Sequence, residues 1–278
     1  MLTARDLIPP VAIKAAKKLF GPNGNGGHAP VRYASYAAAL KECSRGGYEN
    51  PDIVGVVCEK TKRLRDQLQH GGQITMPSTQ SYTMTALLAA LNGPEIRVLD
   101  FGGACGHAYF MARRLLPPTI RLQWDVVETP EMVRAGSSMA TSGLSFTSDL
   151  ASVQHRGWID LIHTSGALQY TPDPLGTLRA LMDMSAPYIL LSRLALSKGS
   201  EVVSIQESRL ADNGPGLMPE GFTDQLVRYP FVYPSESEFY RILESRYDIA
   251  VKFDDNSGRL NVAGEEIVGG ALLAKCRE

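Results

Sequence analysis

Cysteines are few in this sequence, and long apolar runs are missing from it. The four cysteines are spread over 278 residues and form neither a C-x-x-C pair nor a cysteine–histidine cluster of the zinc-binding type. We therefore expect reduced thiols, no metal and a cytoplasmic location. No stretch approaches the roughly 20 consecutive apolar residues that a membrane-spanning helix needs, so integral membrane association is not expected.

An excess of positive charge is also missing. The chain has 28 Lys and Arg residues against 29 Asp and Glu residues, a net charge of −1. Because phosphate contacts dominate nucleic-acid binding and need concentrated Lys and Arg, this balance argues against a nucleic-acid partner. The apolar fraction of 44% is ordinary for a globular protein and allows a sizeable core.

Helical periodicity dominates the first 93 residues. Apolar residues recur at helical spacing over 11–20, 35–43, 52–69 and 80–91, and a stretch rich in glycine and proline, 21–30, interrupts them. We predict a helical N-terminal lobe over 1–93 and a second domain over 94–278. The lobe either covers a functional site as a lid, through Tyr33, Tyr36 and Tyr82, or contributes to a homodimer interface, and the sequence leaves both open.

The second domain alternates short β-rich runs with helical segments. Strands are predicted at 97–100, 123–128, 144–147, 159–162 and 188–191, and this alternation is typical of parallel strands joined by right-handed helical crossovers. Two further apolar runs, 249–253 and 267–274, are separated by the polar stretch 254–266, which predicts a long hairpin loop and a terminal antiparallel strand. The pattern indicates a Rossmann-like α/β fold.

A glycine-rich turn follows the first of these strands. The segment 98–107 reads VLDFGGACGH, and its glycines let the backbone approach a ligand beside the N-terminus of the next helix. A dinucleotide fingerprint starting at Gly102 needs glycine where Ala104 and His107 stand, which disfavours NAD. Glu128 ends the next strand, where a Rossmann-type acid binds ribose hydroxyls, and the two motifs support one another.

The glycine-rich segment resembles the first motif of class I S-adenosylmethionine-dependent methyltransferases, an acidic residue followed by G-x-G-x-G, with Ala104 at the middle glycine. The resemblance implies a mostly parallel seven-stranded sheet with a C-terminal antiparallel strand, and S-adenosyl-L-methionine as the cofactor. It assigns the amino-acid part of the cofactor to Asp100, Gly102, Gly103, Ala104 and Gly106. It places Thr129 and Met132 near the adenosine, and Asp149 and Leu150 near the adenine amine. Asp149 is equally well placed to cap a helix.

The segment 160–170, DLIHTSGALQY, predicts the fourth strand and its exit loop. Ligands of open α/β sheets bind beyond the C-terminal ends of the strands, so this loop is expected to face the cofactor. It resembles methyltransferase segments with L-x-Y before a proline, which assigns Thr164 to the cofactor, and Gln169 and Tyr170 to the acceptor pocket. His163, placed at the strand end, is the candidate general base because histidine titrates near neutral pH; a structural hydrogen-bonding role is the alternative.

Arg193, just after the fifth predicted strand, and Tyr229 complete the catalytic candidates. Tyr229 and Tyr233 belong to the aromatic cluster 229–234, YPFVYP, which either borders the acceptor pocket or packs a rigid loop over the sheet. Tyr82 is the residue that the helical lobe is expected to contribute to the pocket.

A resemblance to one family of bacterial methyltransferases extends almost end to end. It is carried by LIPP at 7–10, VLDFGG at 98–103, VVE at 126–128 and LQYTPDP at 168–174. Members are associated with cell-surface polysaccharide or other secondary biosynthetic clusters, which implies a small-molecule acceptor and O-methylation of a sugar or secondary-metabolite hydroxyl. The chain departs from the family at Ser192 and over 208–222. The alternatives are an NAD(P)-dependent oxidoreductase and a non-catalytic binding protein that retains the fold.

Overall fold

A computed structural model describes residues 31–71, 76–253 and 259–277. The predicted helix at 11–20 and the stretch 21–30 lie outside these ranges. The α-helices are α1 Tyr36–Lys41, α2 Pro51–Gln69, α3 Ser78–Ala90, α4 His107–Leu115, α5 Pro130–Gly136, α6 Leu150–Gln154, α7 Pro174–Met182 and α8 Glu236–Leu243. The strands are β1 Glu95–Phe101, β2 Arg121–Val127, β3 Leu144–Thr147, β4 Leu161–Ser165, β5 Tyr188–Ser197, β6 Val202–Arg209, β7 Leu226–Tyr233, β8 Tyr247–Phe253, β9 Arg259–Val262 and β10 Glu265–Cys276.

The strands of the main sheet lie in the order β3-β2-β1-β4-β5-β10-β8, and the short strand β9 pairs with β10. The first five strands pair in parallel, whereas β10 runs antiparallel to both β5 and β8. This arrangement confirms the expected Rossmann-like fold of mostly parallel strands with a C-terminal antiparallel strand, with eight strands in place of seven. The strand order reverses between β1 and β4, and open α/β sheets bind their ligands at such a switch point.

Helices cover both faces of the sheet because its central strands are apolar on both sides. Leu99 and Ile162 point to one face, where they pack in a cluster with residues of α7 and α8. Val98 and Leu161 point to the other face and pack with residues of α3 and α4. Successive side chains of a strand alternate between faces, so each buried strand contributes to two cores.

The helices before residue 93 pack directly on this α/β unit. α2 begins where the Asn50 side chain accepts a hydrogen bond from the Asp52 N–H at 2.9 Å, with Pro51 in the first turn. Its buried face packs against residues of the glycine-rich turn, α4 and α5. Ala86 and Leu87 of α3 belong to the same core as β1 and β4. The division into two domains at residue 93 stays a prediction.

The cluster 229–234 is part of a strand, so the prediction of a rigid loop is wrong. β7 pairs antiparallel with β6 in a separate two-stranded sheet, and Pro230 lies opposite Ile205. Proline is tolerated there because β7 is an edge strand of this sheet, paired only with β6. Lys60 of α2 donates hydrogen bonds to the carbonyls of Ala211 (2.6 Å) and Asn213 (2.8 Å), which ties the connection between the strands to α2.

The prediction of a long loop over 254–266 is wrong for the second half of this stretch. β9 lies within it, and β10 begins at Glu265. The two strands are joined by Ala263 and Gly264, whose φ angles are +51° and +89°. Positive φ at both central residues is typical of a tight two-residue hairpin turn, so a polar sequence here encodes a hairpin.

Gly102 opens the turn after β1, and neither its conformation nor its surroundings admit a side chain. Its φ is +71°, and a Cβ at this position would lie 2.1 Å from the Cβ of Ala167. The turn after β1 therefore fits against the loop after β4 only because residue 102 is glycine.

We expect Gly102→Ala to lower the free energy of unfolding by about 3 kcal/mol, from left-handed strain and overpacking together. Gly216→Ala is the matched control, because Gly216 has a φ of +80° and open space around its Cα. It should cost only about 1 kcal/mol, the left-handed strain alone. Urea unfolding monitored by circular dichroism measures both, and equal losses in the two variants would contradict the close contact with Ala167.

Candidate cofactor and acceptor site

The glycine-rich turn forms a backbone cradle at the switch point. Gly102 donates a hydrogen bond from its N–H to the Val127 carbonyl at 2.9 Å, and Gly106, with φ +79°, begins α4. A Cβ on Gly103 would lie 2.3 Å from Asp100 Oδ2, so the turn sits directly on that carboxylate. Ala104 replaces the middle glycine of the motif and has a φ of +50°, the conformation for which glycine is ordinarily used.

Asp100 holds the turn from beneath. The side chain is 1% exposed; its Oδ2 accepts a hydrogen bond from Trp124 Nε1 at 2.8 Å, and its Oδ1 accepts one from His163 Nδ1 at 2.7 Å. Both oxygens are thus bound by side chains of β2 and β4. In this structure Asp100 supports the cradle, and contact with a cofactor remains a prediction for it.

His163 is placed differently from its prediction. It lies in the middle of β4 and not at the strand end, and its side chain is 5% exposed. Nδ1 is bonded to Asp100, and Nε2 shares a hydrogen bond of 3.0 Å with the Thr83 hydroxyl, which also bonds the Thr79 carbonyl. With both ring nitrogens engaged by the protein, the geometry argues against His163 as a general base and for the structural alternative.

Glu128 lies at the carboxyl end of β2, beside the cradle, as the sequence predicted. Its Oε1 accepts a hydrogen bond from the Ala104 N–H at 3.0 Å and its Oε2 one from the Thr129 N–H at 2.8 Å. Burial raises the pKa of Glu128 to about 7, although these two hydrogen bonds act in the opposite direction. Each oxygen keeps a further lone pair, so the carboxylate can still accept hydrogen bonds from a diol.

Four buried polar atoms near the switch point have no hydrogen-bond partner among the described residues. They are His107 Nδ1, Thr164 Oγ1, Gln169 Oε1 and Ser192 Oγ. A buried polar atom without a partner costs about 1–3 kcal/mol, and native proteins contain few of them. Their concentration at the carboxyl edge of β4 and β5, and at the start of α4, is typical of a site for a polar ligand.

His107 differs from His163 in its chemistry. Burial lowers the pKa of His107, so its ring is neutral near pH 7, and its Nδ1 is free to accept or donate a hydrogen bond. In the sequence, His107 served only to argue against a dinucleotide fingerprint. The signal that could have revealed it is its position directly after the last glycine of the turn.

The residues assigned to the adenosine follow strands β2 and β3, and most of them have structural roles. Thr129 caps α5 by accepting a hydrogen bond from the Met132 N–H. Met132 is fully buried against Cys105, which is the position of a core residue. Asp149 caps α6 by accepting a hydrogen bond from the Ala151 N–H at 2.9 Å, and so takes the helix-cap alternative. These contacts leave the predicted cofactor roles untested.

Three tyrosines meet beyond the cradle. Tyr48 stacks on Tyr170 with ring centroids 5.3 Å apart, and Tyr229 meets both rings edge-on at 5.9 and 5.3 Å. Burial is the main cause that raises the pKa of Tyr48, and the negative charge of Glu128 is the second. The Tyr48 ring therefore lies near Glu128, the candidate for ribose binding. Tyr48 was not among the predicted site residues, because nothing in its local sequence marks a contact with residues so distant along the chain.

The other predicted pocket tyrosines have different places. Tyr82 stacks on Phe253 at 4.3 Å in the core beneath α3, so the structure does not bring it to the tyrosine cluster. Tyr233 is buried against Phe231 at 4.6 Å. Tyr229 donates a hydrogen bond to Ser208 Oγ at 2.7 Å, and burial raises its pKa well above the ordinary value, which makes it a poor proton donor or acceptor. Tyr36 reaches the site's border, where it donates a hydrogen bond to the Tyr170 carbonyl at 2.8 Å.

Arg193 lies at the carboxyl end of the sheet next to this cluster. Its side chain is exposed and lies against Gly166, where a Cβ would be 3.3 Å from Arg193 Nε. Its carbonyl accepts a hydrogen bond from Gln169 Nε2 at 3.1 Å. The structure thus brings Gln169, Tyr170, Tyr229 and Arg193 together, and their assignment to an acceptor pocket stays a prediction.

Two absences hold for the part of the chain that the structure describes. No group of three or more His, Cys, Asp and Glu side chains is arranged to hold a metal ion. No helix there combines the length and apolar character that crossing a membrane requires.

The comparisons with known proteins bear on the fold and on nothing else. No family model matches the chain, and no curated protein matches it. A methyltransferase from Clostridium acetobutylicum, S-adenosylmethionine-dependent, aligns with 11% identity and a TM-score of 0.46, over 78% of this chain and 98% of its own. A SAM-dependent methyltransferase from Aquifex aeolicus aligns with 15% identity and a TM-score of 0.38, over 78% of this chain and 97% of its own. The glycopeptide N-methyltransferase MtfA, in complex with S-adenosylmethionine, aligns with 13% identity and a TM-score of 0.42, over 72% of this chain and 94% of its own. At such low values the assignment of the fold rests on the strand order described above.

We expect His163→Ala to lower the free energy of unfolding by about 2–4 kcal/mol, because it leaves buried Asp100 with an unpaired oxygen. His155→Ala is the control, since His155 is exposed and should change stability by less than about 0.5 kcal/mol. Thermal and urea unfolding give both values. A fully stable His163→Ala protein would mean that the buried hydrogen-bond chain contributes nothing to the fold.

Proposed function

We propose that this protein is an S-adenosylmethionine-dependent methyltransferase that acts on a small-molecule acceptor. The observation that carries the proposal is the Glu128 carboxylate, held by the Ala104 N–H beside a cradle of glycines at the switch point of the sheet. A carboxylate at the end of the second strand is placed to bind a ribose diol, while the glycine turn is placed to approach the rest of a nucleoside.

The residues fit this cofactor by two independent features. Gly102 and Gly103 form a turn that has room for no side chain, so only backbone faces the ligand there, and the unpartnered Thr164 Oγ1 can bond the polar amino-acid portion. When bound, the cofactor supplies a sulfonium-activated methyl group. The chain's own contribution is to fix the nucleoside through Glu128, to align the acceptor and to exclude water through the tyrosine cluster.

For the acceptor we propose a hydroxyl-bearing small molecule, such as a sugar or secondary metabolite, and O-methylation as the reaction. A hydroxyl nucleophile must lose a proton during transfer, and general bases contribute typically ~10² to 10⁴-fold. His107 takes the place of His163 in this proposal, because its ring is neutral and its Nδ1 has no partner among the described residues.

Calorimetric titration tests the cofactor. S-adenosylmethionine and S-adenosylhomocysteine should both bind the purified full chain, and NADH should not. Glu128→Gln should weaken the binding of S-adenosylhomocysteine at least tenfold. The single amide oxygen of glutamine cannot replace two carboxylate oxygens that each accept backbone and ribose hydrogen bonds. Glu131→Gln is the control, because Glu131 is paired only with Arg134 on the same helix. Binding of NADH without either sulfur nucleoside would establish the oxidoreductase alternative.

Cofactor affinity should also depend on pH through Glu128. With a pKa of about 7, roughly one tenth of the carboxyl groups are ionised at pH 6 and nine tenths at pH 8. Because the ionised form accepts both ribose hydrogen bonds, S-adenosylhomocysteine should bind about tenfold more tightly at pH 8 than at pH 6. The ratio of wild-type to Glu128→Gln affinity removes the titration of the ligand itself. A ratio that does not change with pH would show that Glu128 does not contact the cofactor.

A further inference from the structure

Arg193 has an unusual backbone conformation for an arginine. It occupies a β-bulge in β5, at the point where the pairing with β10 shifts between Gly270 and Leu272, and its φ is +54°. A left-handed conformation costs a residue with a Cβ about 1–2 kcal/mol, and bulges near active sites commonly redirect a side chain. The bulge turns Arg193 away from the regular β5 pattern toward the carboxyl edge of the sheet.

The charge of Arg193 is also uncompensated. Among the described residues its guanidinium has no hydrogen bond or ion pair, whereas Arg97 and Arg156 are both paired with Asp125. The groups around it are the Gly166 backbone and the hydroxyls of the tyrosine cluster, whose pKa values its positive charge lowers against the larger effect of burial. A cation without an acid beside it, next to aromatic rings, is well suited to an anionic ligand.

The cofactor does not need this cation. Its carboxylate can be bound by the N–H groups in the first turn of the nine-residue helix α4, which have no partner within the helix. Glu128 marks the ribose end of the site, whereas Arg193 lies against Gly166 in the loop after β4. Arg193 and Tyr170, Tyr229 and Gln169 therefore lie on the acceptor side of the cradle.

We propose that Arg193 determines acceptor specificity by binding a carboxylate group of the acceptor, so that the protein methylates small molecules that carry a carboxylate beside a ring. This proposal rests on the proposed methyltransferase function, which defines the reaction that the acceptor undergoes. The planar guanidinium pairs with a carboxylate through two parallel N–H···O bonds, and the stacked rings of Tyr48 and Tyr170, with Tyr229 edge-on to them, provide aromatic surface for the ring.

The test uses benzoate as the anionic probe and benzyl alcohol as the neutral probe of similar size. The full chain is saturated with S-adenosylhomocysteine, and probe affinities are measured by ligand-observed nuclear magnetic resonance. Benzoate should bind the wild type at least tenfold more tightly than benzyl alcohol does. Arg193→Gln should abolish that preference, and Arg193→Lys should restore part of it. Arg114→Gln, which removes an exposed arginine on α4, should leave the preference unchanged.

Calorimetric titration of Arg193→Gln with S-adenosylhomocysteine separates the two carboxylate sources. The proposal predicts an affinity within about twofold of wild type; a tenfold loss, with benzoate binding unaffected, would show that Arg193 serves the cofactor and would overturn it. Equal affinities of benzoate and benzyl alcohol for the wild type would overturn it as well. If S-adenosylhomocysteine fails to bind, the methyltransferase proposal fails separately, because the Arg193 dependence of benzoate binding is measurable on the protein alone.

Discussion

The buried carboxylate of Asp100 is the contact on which the arrangement of the site depends. It takes one hydrogen bond from Trp124 of β2 and one from His163 of β4, and it lies directly under Gly103. A carboxylate buried to this degree is stable only when both oxygens are bonded, so the residue fixes three neighbouring strands and the turn above them at once. Asp100, the acidic residue of the sequence motif, thus supports the glycine-rich turn from below in the folded protein.

Two of the four non-glycine residues with positive φ, and four of the six unpartnered buried polar atoms, of the described residues lie near Asp100 at the carboxyl edge of the sheet. Ala104 and Arg193 have left-handed backbone conformations, and both lie at the carboxyl edge of the sheet. Buried hydroxyl, amide and imidazole atoms without partners lie at the same edge. Each feature opposes folding by a small amount and is maintained because the surrounding core is large, a distribution typical of a binding site.

The tyrosine cluster is assembled from segments that are far apart in the chain. Tyr48 comes from the short helical turn before α2, Tyr170 from the loop after β4 and Tyr229 from the hairpin strand β7. Lys60 binds the connection of that hairpin to α2, so α2 and the hairpin together support the cluster. Because α2 also packs against the glycine-rich turn, the same helix supports both the cluster and the cradle.

The sequence by itself determined the α/β alternation, the positions of the parallel strands, the glycine turn and Glu128, because these depend on periodicity and on motifs within about 30 residues. It did not determine the role of His163, since whether an imidazole is free depends on Asp100 and Thr83, which are 63 and 80 residues away. Nor did it reveal Tyr48 or the β6–β7 hairpin. Those features arise from packing between distant segments, and only the tertiary structure decides which polar groups are satisfied by the protein and which are left for a ligand.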